Sequence, residues 1–409
     1  MNRPLKRPPA GRDIHEAHRA STPLELLFDL CFAIGISVAA SNFAHAAAQG
    51  RIGHALFGFG FSFFAVWWAW MNFTWYASAY DNDDGIHRLL TLTQILGALI
   101  MATGIPDIYA ETPRNGTVVV GYATMRVALV AMWLRAARGD PARRRTCLRY
   151  ATTIALLQLA WIAGALFVPA ADLLLYYPVL LVAELAVPVW AERAGQTPWH
   201  PHHIADRYAA FAIIVLGEGL VGTVAAIQSV QATEGWSFDL ALVGGVGTAL
   251  TFCLWWIYFI IPHGAALAAR RAVALRWGYG SAFVFASLAA MGSGLHVAAD
   301  AIGHPHAHAA PLVLALIALP ILVFELVCVA VYAALAAFDG AHLALALFNA
   351  LQFAAVIAAA AAGAPFVACL ALLLAGPLAI IAFDIRVGAR RRARALQALA
   401  ADASGHPAS

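Results

Sequence analysis

The chain has 409 residues, 62% hydrophobic and 11% charged, with a formal net charge of +3. Soluble globular proteins carry about 25% charged residues, so this composition, with a mean hydropathy of +0.75, excludes an ordinary soluble domain and indicates a polytopic membrane protein. The expected partner is the lipid bilayer, with no nucleic acid, and a homo-oligomer is compatible with this composition.

Hydrocarbon thickness asks for roughly 20 apolar residues per helix. On that ruler the sequence predicts an all-α bundle of about twelve transmembrane spans. A basic, Pro-rich tail (1–22) without a cleavable-signal pattern leads into span one, 24–47. Thr22-Pro23-Leu24-Glu25 reads as a capping box, with the hydroxyl at the N-cap, proline at N1 and glutamate at N3. That reading assigns Glu25 to the helix end, at interfacial depth. Asp29 lies one turn further in, without such a role. A charge at depth costs about 2.5–3.5 kcal/mol on insertion scales, so Asp29 needs a partner or water. Span two, 55–79, crowds Trp67, Trp68, Trp70 and Trp75. These read as packing and an aromatic belt, with an aromatic-lined pore as the alternative. Span three, 89–110, holds Asp107 near its outer end, where it is expected to be exposed.

Span four, 117–137, carries Arg126, the arginine deepest in apolar sequence. Its available counter-ions are Asp29, Glu184, Glu218 and Glu325, in either a structural lock or a moving gate. Spans five and six, 148–169 and 171–191, follow, with Glu184 in the sixth. Span seven, 205–228, is introduced by HHIADRYAAFAIIVLGEGL (202–220). His203 and Arg207 are an i, i+4 pair and Glu218 follows eleven residues on, so one helical face carries all three. His203 and Arg207 are read either as a snorkelling interfacial helix end or as site residues. Glu218, about 16 Å of rise beyond Arg207, does not fit an interface. Spans eight to twelve are 239–262, 274–299, 310–337, 342–362 and 364–386, with Glu325 a lone acid in the tenth. HPHAH (304–308) offers imidazoles to a metal, but without acidic or cysteine partners it reads as a solvated loop. The basic run RVGARRRARALQALA suits contact with anionic lipid.

The basic residues set an orientation. With a cytoplasmic N-terminus, Arg51 and Arg114 fall outside and Arg126 falls within span four, while every other Arg and Lys falls inside. This follows the positive-inside rule with an even number of spans and both termini cytoplasmic. A repeat is also visible. FAVWWAW (64–70) is similar to FCLWWIY (252–258), Arg88 shares their offset with Arg276, and MATG (101–104) is similar to MGSG (291–294). Under the same shift Asp29 falls on Glu218. The expected organisation is a cytoplasmic basic tail (1–22), a first six-span repeat (23–193), a second (194–387) and a cytoplasmic basic tail (388–409). Parallel repeats of this kind are related by an axis along the membrane normal, and binding sites in transport folds tend to lie between halves.

No P-loop, G-x-G-x-x-G, H-E-x-x-H or G-x-S-x-G motif is present. The one lysine, Lys6, lies in the tail, which excludes a buried Schiff base, and the five cysteines are scattered without a C-x-x-C pair. No cofactor, metal or catalytic residue is expected, and an enzyme is not the reading.

At LELLFDLCFAI, WWAWMNFTWY, MATGIP and HIADRYAAFAIIVLGE the chain resembles the low temperature requirement A family of bacterial membrane proteins, over roughly residues 21–385. The resemblance implies an integral protein of the bacterial inner membrane. The family's first-span acids fall on Glu25 and Asp29, and its His-Leu-Ala-Glu-Arg-Phe segment falls on His203 to Tyr208. Its Leu-Gly-Glu-Ser falls on Leu216 to Gly219, where the serine hydroxyl is missing. Its Asn-Arg-Phe-Asp-Pro-Asp pattern after span two is here SAYDNDD (78–84), which lacks the arginine. A shorter stretch, FDLCFAIGI, is similar to the opening of certain potassium channels built from two six-span repeats. The functional expectation is a transporter or channel for a cation or protons. Its candidate binding residues are Asp29, Glu218, Glu25, Arg126, Arg207 and His203. The alternative is a membrane-stress or cold-adaptation scaffold or sensor without transport.

Overall fold

A computed structural model describes residues 9–14, 16, 19–110, 114–169, 172–235, 238–303, 309–335, 340–394 and 397. The described residues form helices and no strands. In chain order these are α1 (Pro23–Ala48), α2 (Ile52–Tyr80), α3 (Gly85–Ile108), α4 (Gly116–Gly139), α5 (Arg144–Phe167), α6 (Leu173–Glu192) and α7 (Pro201–Glu234). They continue with α8 (Phe238–Ile260), α9 (His263–Ala269), α10 (Ala274–Gly303), α11 (Ala310–Leu335), α12 (Gly340–Ala361), α13 (Phe366–Leu372) and α14 (Ala375–Phe383). Among the described residues, twelve helical stretches are long and apolar enough to cross a membrane.

Local chemistry sets the ends. Thr22 and Glu25 close the expected capping box, with the Thr22 N–H donating to Glu25 Oε2 at 2.8 Å and the Glu25 N–H to Thr22 Oγ1 at 3.2 Å. α1 stops at Gly50, whose φ of +74° suits a glycine C-cap; the Arg51 N–H returns to the Ala46 carbonyl at 3.1 Å. Asp84 caps α3 by accepting from the His87 N–H at 2.7 Å.

The last span departs from the single helix expected over 364–386. It is broken between α13 and α14, and α14 runs into a π-type turn at Asp384–Gly388. Pro377 explains the break. It has no N–H to give to Leu373, and its ring crowds that carbonyl, so the Leu373 and Leu374 N–H groups close tighter bonds to Leu370 and Ala371 instead. Span eight likewise stops ahead of Pro262, and α9 begins after it.

The chain divides into two compact units. The first comprises Met1–Val38 and Phe61–Arg207, the second Ala39–Gly60 and Tyr208–Ser409. In the first, α3 and α4 touch backbone to backbone: a Cβ on Gly97 would lie 2.7 Å from the Gly121 carbonyl oxygen. In the second, α7 and α10 meet in the same way, a Cβ on Gly292 falling 2.7 Å from the Glu218 carbonyl carbon. Small residues let membrane helices approach this closely, and dispersion then drives their association. Large apolar side chains such as Leu89, Val127, Leu156, Leu175 and Leu351 are exposed, whereas Asp29, Arg126, Glu184, Arg207 and Glu325 are buried. Charge inside with aliphatic surface outside suits a lipid solvent.

Candidate functional site

In the first unit, α1, α2 and α7 bring four of the expected residues together. Arg207 is fully buried and grips Asp29 with two hydrogen bonds, Nε to Oδ2 at 2.9 Å and Nη2 to Oδ1 at 2.6 Å. Its Nη1 lies 3.0 Å from Glu25 Oε1, close enough for an ion pair and too oblique for a hydrogen bond. Helix geometry makes this possible. Glu25 and Asp29 are one turn apart on α1, so one guanidinium spans both. On α7, His203 is one turn from Arg207 and places Nε2 3.2 Å from Glu25 Oε1. The indole of Trp70 on α2 donates to Asp29 Oδ1 at 2.7 Å, completing the set.

The cluster continues beyond the residues read from sequence. Arg19, in the segment before α1, is buried and donates to the Ser78 and Ala77 carbonyls at the end of α2. Its Nη2 lies 4.0 Å from Glu25 Oε1 and 3.9 Å from Asp81 Oδ2. Burial pushes the Arg19 pKa below its ordinary value, opposed by the Glu25 and Asp81 carboxylates. Asp81 Oδ1 also lies 3.3 Å from His87 Nε2, an ion pair when that histidine is protonated. Arg135 holds Asp84 at 2.6 Å beside it. The segment carrying Arg19 is itself tied down: His200 Nε2 donates to the Glu16 carbonyl at 2.9 Å, and Arg12 holds the Glu16 carboxyl below its usual pKa through a 2.7 Å bond.

Counted by charge, Glu25, Asp29 and Asp81 face Arg19 and Arg207. Three buried carboxylates meet two guanidiniums, and Glu25 and Asp81 each have a histidine against them. The Nδ1 atoms of His203 and His87 are both buried without a hydrogen-bond partner. One proton on a histidine, or one small cation, balances the remaining negative charge.

Of the two readings of Arg207 and His203, the snorkelling helix end does not hold, because both are fully buried against acids. One expectation is corrected. Trp68 and Trp70 do not form an aromatic belt; both are buried indole donors to carboxylates. Glu25 fills its capping role, but at 1% exposure it also belongs to the ionic cluster. Arg19, Asp81 and His87 were missed. Arg19 falls in the basic tail (1–22), and Asp81 and His87 fall between spans two (55–79) and three (89–110). A signal existed: the family pattern after span two calls for an arginine that SAYDNDD lacks, and Arg19 supplies a guanidinium to that segment.

Arg126 is placed elsewhere in the first unit. Its Nη2 bonds Glu184 Oε2 at 2.9 Å and the Tyr122 hydroxyl at 2.7 Å, and Trp68 Nε1 donates to the same carboxylate oxygen at 2.8 Å. Glu218 belongs to the second unit and is half-buried on α7. Beside it, Gly219 stands at the family's serine position, where a Cβ would fall 2.6 Å from Thr251 Oγ1. A threonine hydroxyl thus lies where the missing serine side chain would project. Asp107 is exposed as expected, and the His304–His308 loop lies outside the described residues.

An all-α chain with twelve apolar spans and buried ion pairs is a multi-pass membrane protein. A family model described as Bacterial low temperature requirement A protein (LtrA) matches residues 20–375, and the chain belongs to that family. It is also 30% identical over 250 residues to the uncharacterized protein RA0937 of Rhizobium meliloti (strain 1021). That match covers 59% of this chain and 58% of the Rhizobium protein, less than two thirds of the relative's length.

Proposed function

We propose that the protein is a transporter or channel for a small cation or protons in the bacterial inner membrane, with both termini cytoplasmic. The observation that carries the reading is the excess carboxylate of the Glu25–Asp29–Asp81 cluster. Buried ionisable groups in a membrane are expensive and mark ion pathways and proton relays. A purely structural lock needs no such excess: Arg126 with Glu184 is one acid against one base. Glu25 and His203 are close enough to exchange a proton, with His203 Nε2 3.2 Å from Glu25 Oε1.

The two six-span halves are proposed to be repeats, with Glu218 in the position of Asp29. Support comes from the sequence offsets and from matched helix pairs within the units. Gly104 of α3 packs against α4, a Cβ there lying 2.9 Å from the Val118 nitrogen. Gly294 of α10 packs against α11, with 2.5 Å to the Leu316 oxygen.

The test is flux in proteoliposomes, with imposed gradients of protons, sodium and potassium in turn. The protein should dissipate one of them, and Asp29→Asn, Glu218→Gln and His203→Gln should each slow that flux or shift its pH dependence. Variants that assemble normally and keep unaltered flux would refute the assignment of these residues. No flux for any ion would favour the scaffold or sensor reading.

A further inference from the structure

The second unit contains a cavity that the ionic cluster does not explain. It is a partly open cavity of about 70 Å³ and lies among α8, α11, α12 and α14. Ile257, Ile261, Leu322, Leu345 and Ile380 give it aliphatic walls. Glu325 and Asn349 also line it, at 2% and 0% exposure. Asn349 Nδ2 donates to Glu325 Oε2 at 2.8 Å. The other oxygen of each side chain, Glu325 Oε1 and Asn349 Oδ1, is buried without a hydrogen-bond partner.

These two oxygens define a chemical demand. Asn349 Oδ1 is an acceptor, and so is Glu325 Oε1 when the acid is ionised; a donor then has to meet them, since a buried acceptor left bare is costly. Unlike Glu25, Asp29 and Glu184, Glu325 forms no ion pair among the described residues. A carboxylate lining an apolar cavity is best matched by a cation that brings its own apolar body. His342 lines the same cavity on α12, seven residues before Asn349, or about 10 Å of helical rise. Beyond it lies the π-type turn at Asp384–Gly388, whose Asp384 and Gly388 also line the cavity. Irregular turns of this type occur often at functional sites. Asp384 is already engaged by Arg392 at 2.6 Å, which leaves Glu325 as the acid open to a ligand.

We propose that this cavity binds a lipophilic ammonium compound, whose N–H groups donate to Glu325 and Asn349 while its apolar body fills the space between α8, α11, α12 and α14. No residue of the Glu25–Asp29–Arg207 cluster lines the cavity, and binding there does not depend on that cluster.

The test uses the full chain in lipid nanodiscs, titrated calorimetrically with 1-naphthylmethylamine, an ammonium at neutral pH, and with 1-naphthalenemethanol, its neutral counterpart. Empty nanodiscs supply the partitioning baseline. The amine should bind saturably and roughly tenfold to a hundredfold more tightly than the alcohol, the range set by a charge-assisted hydrogen bond. Glu325→Gln should remove that preference. Leu345→Trp, which fills the cavity and leaves both polar groups in place, should block binding of either compound. Equal affinity for amine and alcohol would overturn the proposal and indicate a Glu325 that carries its own proton. Partitioning alone, or full binding in Leu345→Trp, would also overturn it. Should Glu325→Gln fail to assemble, the amine-to-alcohol ratio and Leu345→Trp decide the matter by themselves.

Discussion

Replacing Arg207 by methionine is the sharpest perturbation of the ionic cluster. Methionine keeps much of the apolar stem and removes the charge. Asp29 then loses both guanidinium bonds, at 2.9 and 2.6 Å, and Glu25 loses the nearer of its two cations, at 3.0 Å, keeping Arg19 at 4.0 Å. Neither acid can reach water in place, since they are 0% and 1% exposed. Breaking one side of a buried pair costs about 3–5 kcal/mol. Some support remains: Asp29 keeps the Trp70 indole, and Glu25 keeps the Thr22 N–H and His203. The expected loss for Arg207→Met is therefore about 3 kcal/mol, the lower end of that range. Equilibrium unfolding in mixed micelles, followed by far-ultraviolet circular dichroism, measures it. The double variant Arg207→Met with Asp29→Asn should recover part of the loss, because the stranded charge is gone; a coupling of about 1–3 kcal/mol is expected for groups in contact. Strict additivity, or an Arg207→Met protein within about 0.5 kcal/mol of the parent, would refute the cluster as described.

Arg126→Leu should destabilise the protein by about 3–5 kcal/mol in the same assay, with partial rescue by Glu184→Gln and none by Asp29→Asn. Rescue by Asp29→Asn instead would contradict the pairing observed. Thr22→Ala removes one half of the capping box and should cost only about 1 kcal/mol; a loss as large as that of Arg207→Met would mean the hydroxyl does more than cap. Reporter fusions after Ser229 and Ala309 should both signal the outside, and a cytoplasmic signal at Ser229 would break the proposed orientation.

Much of the helical layout was legible along the chain. A run of twenty apolar residues must become a helix in lipid, because no water is there to take its backbone N–H and C=O groups. That argument needs no knowledge of neighbours, and it found twelve spans. The capping box at Thr22–Glu25 was equally local, since its partners are three residues apart. Asp29 and Arg126 were also identifiable as charges needing partners, because the cost of an isolated charge in hydrocarbon depends on depth alone.

Partner choice was another matter. Four acids were available to Arg126, and nothing in periodicity or composition separates Glu184 from the other three. The choice depends on which helices meet and at what height, and Glu184 is 58 residues away in sequence. Arg207 meets Asp29 across 178 residues for the same reason. Trp70 illustrates the limit most plainly. A tryptophan among tryptophans in an apolar span looks like a belt residue, and only packing reveals that its N–H faces a carboxylate. Arg19 had every sequence mark of a solvated tail residue, yet the fold buries it against two carbonyls and two acids. Hydrophobicity acts residue by residue and can be read in one dimension. Hydrogen bonds and ion pairs are short-ranged and directional, so their partners are decided only when the helices have packed.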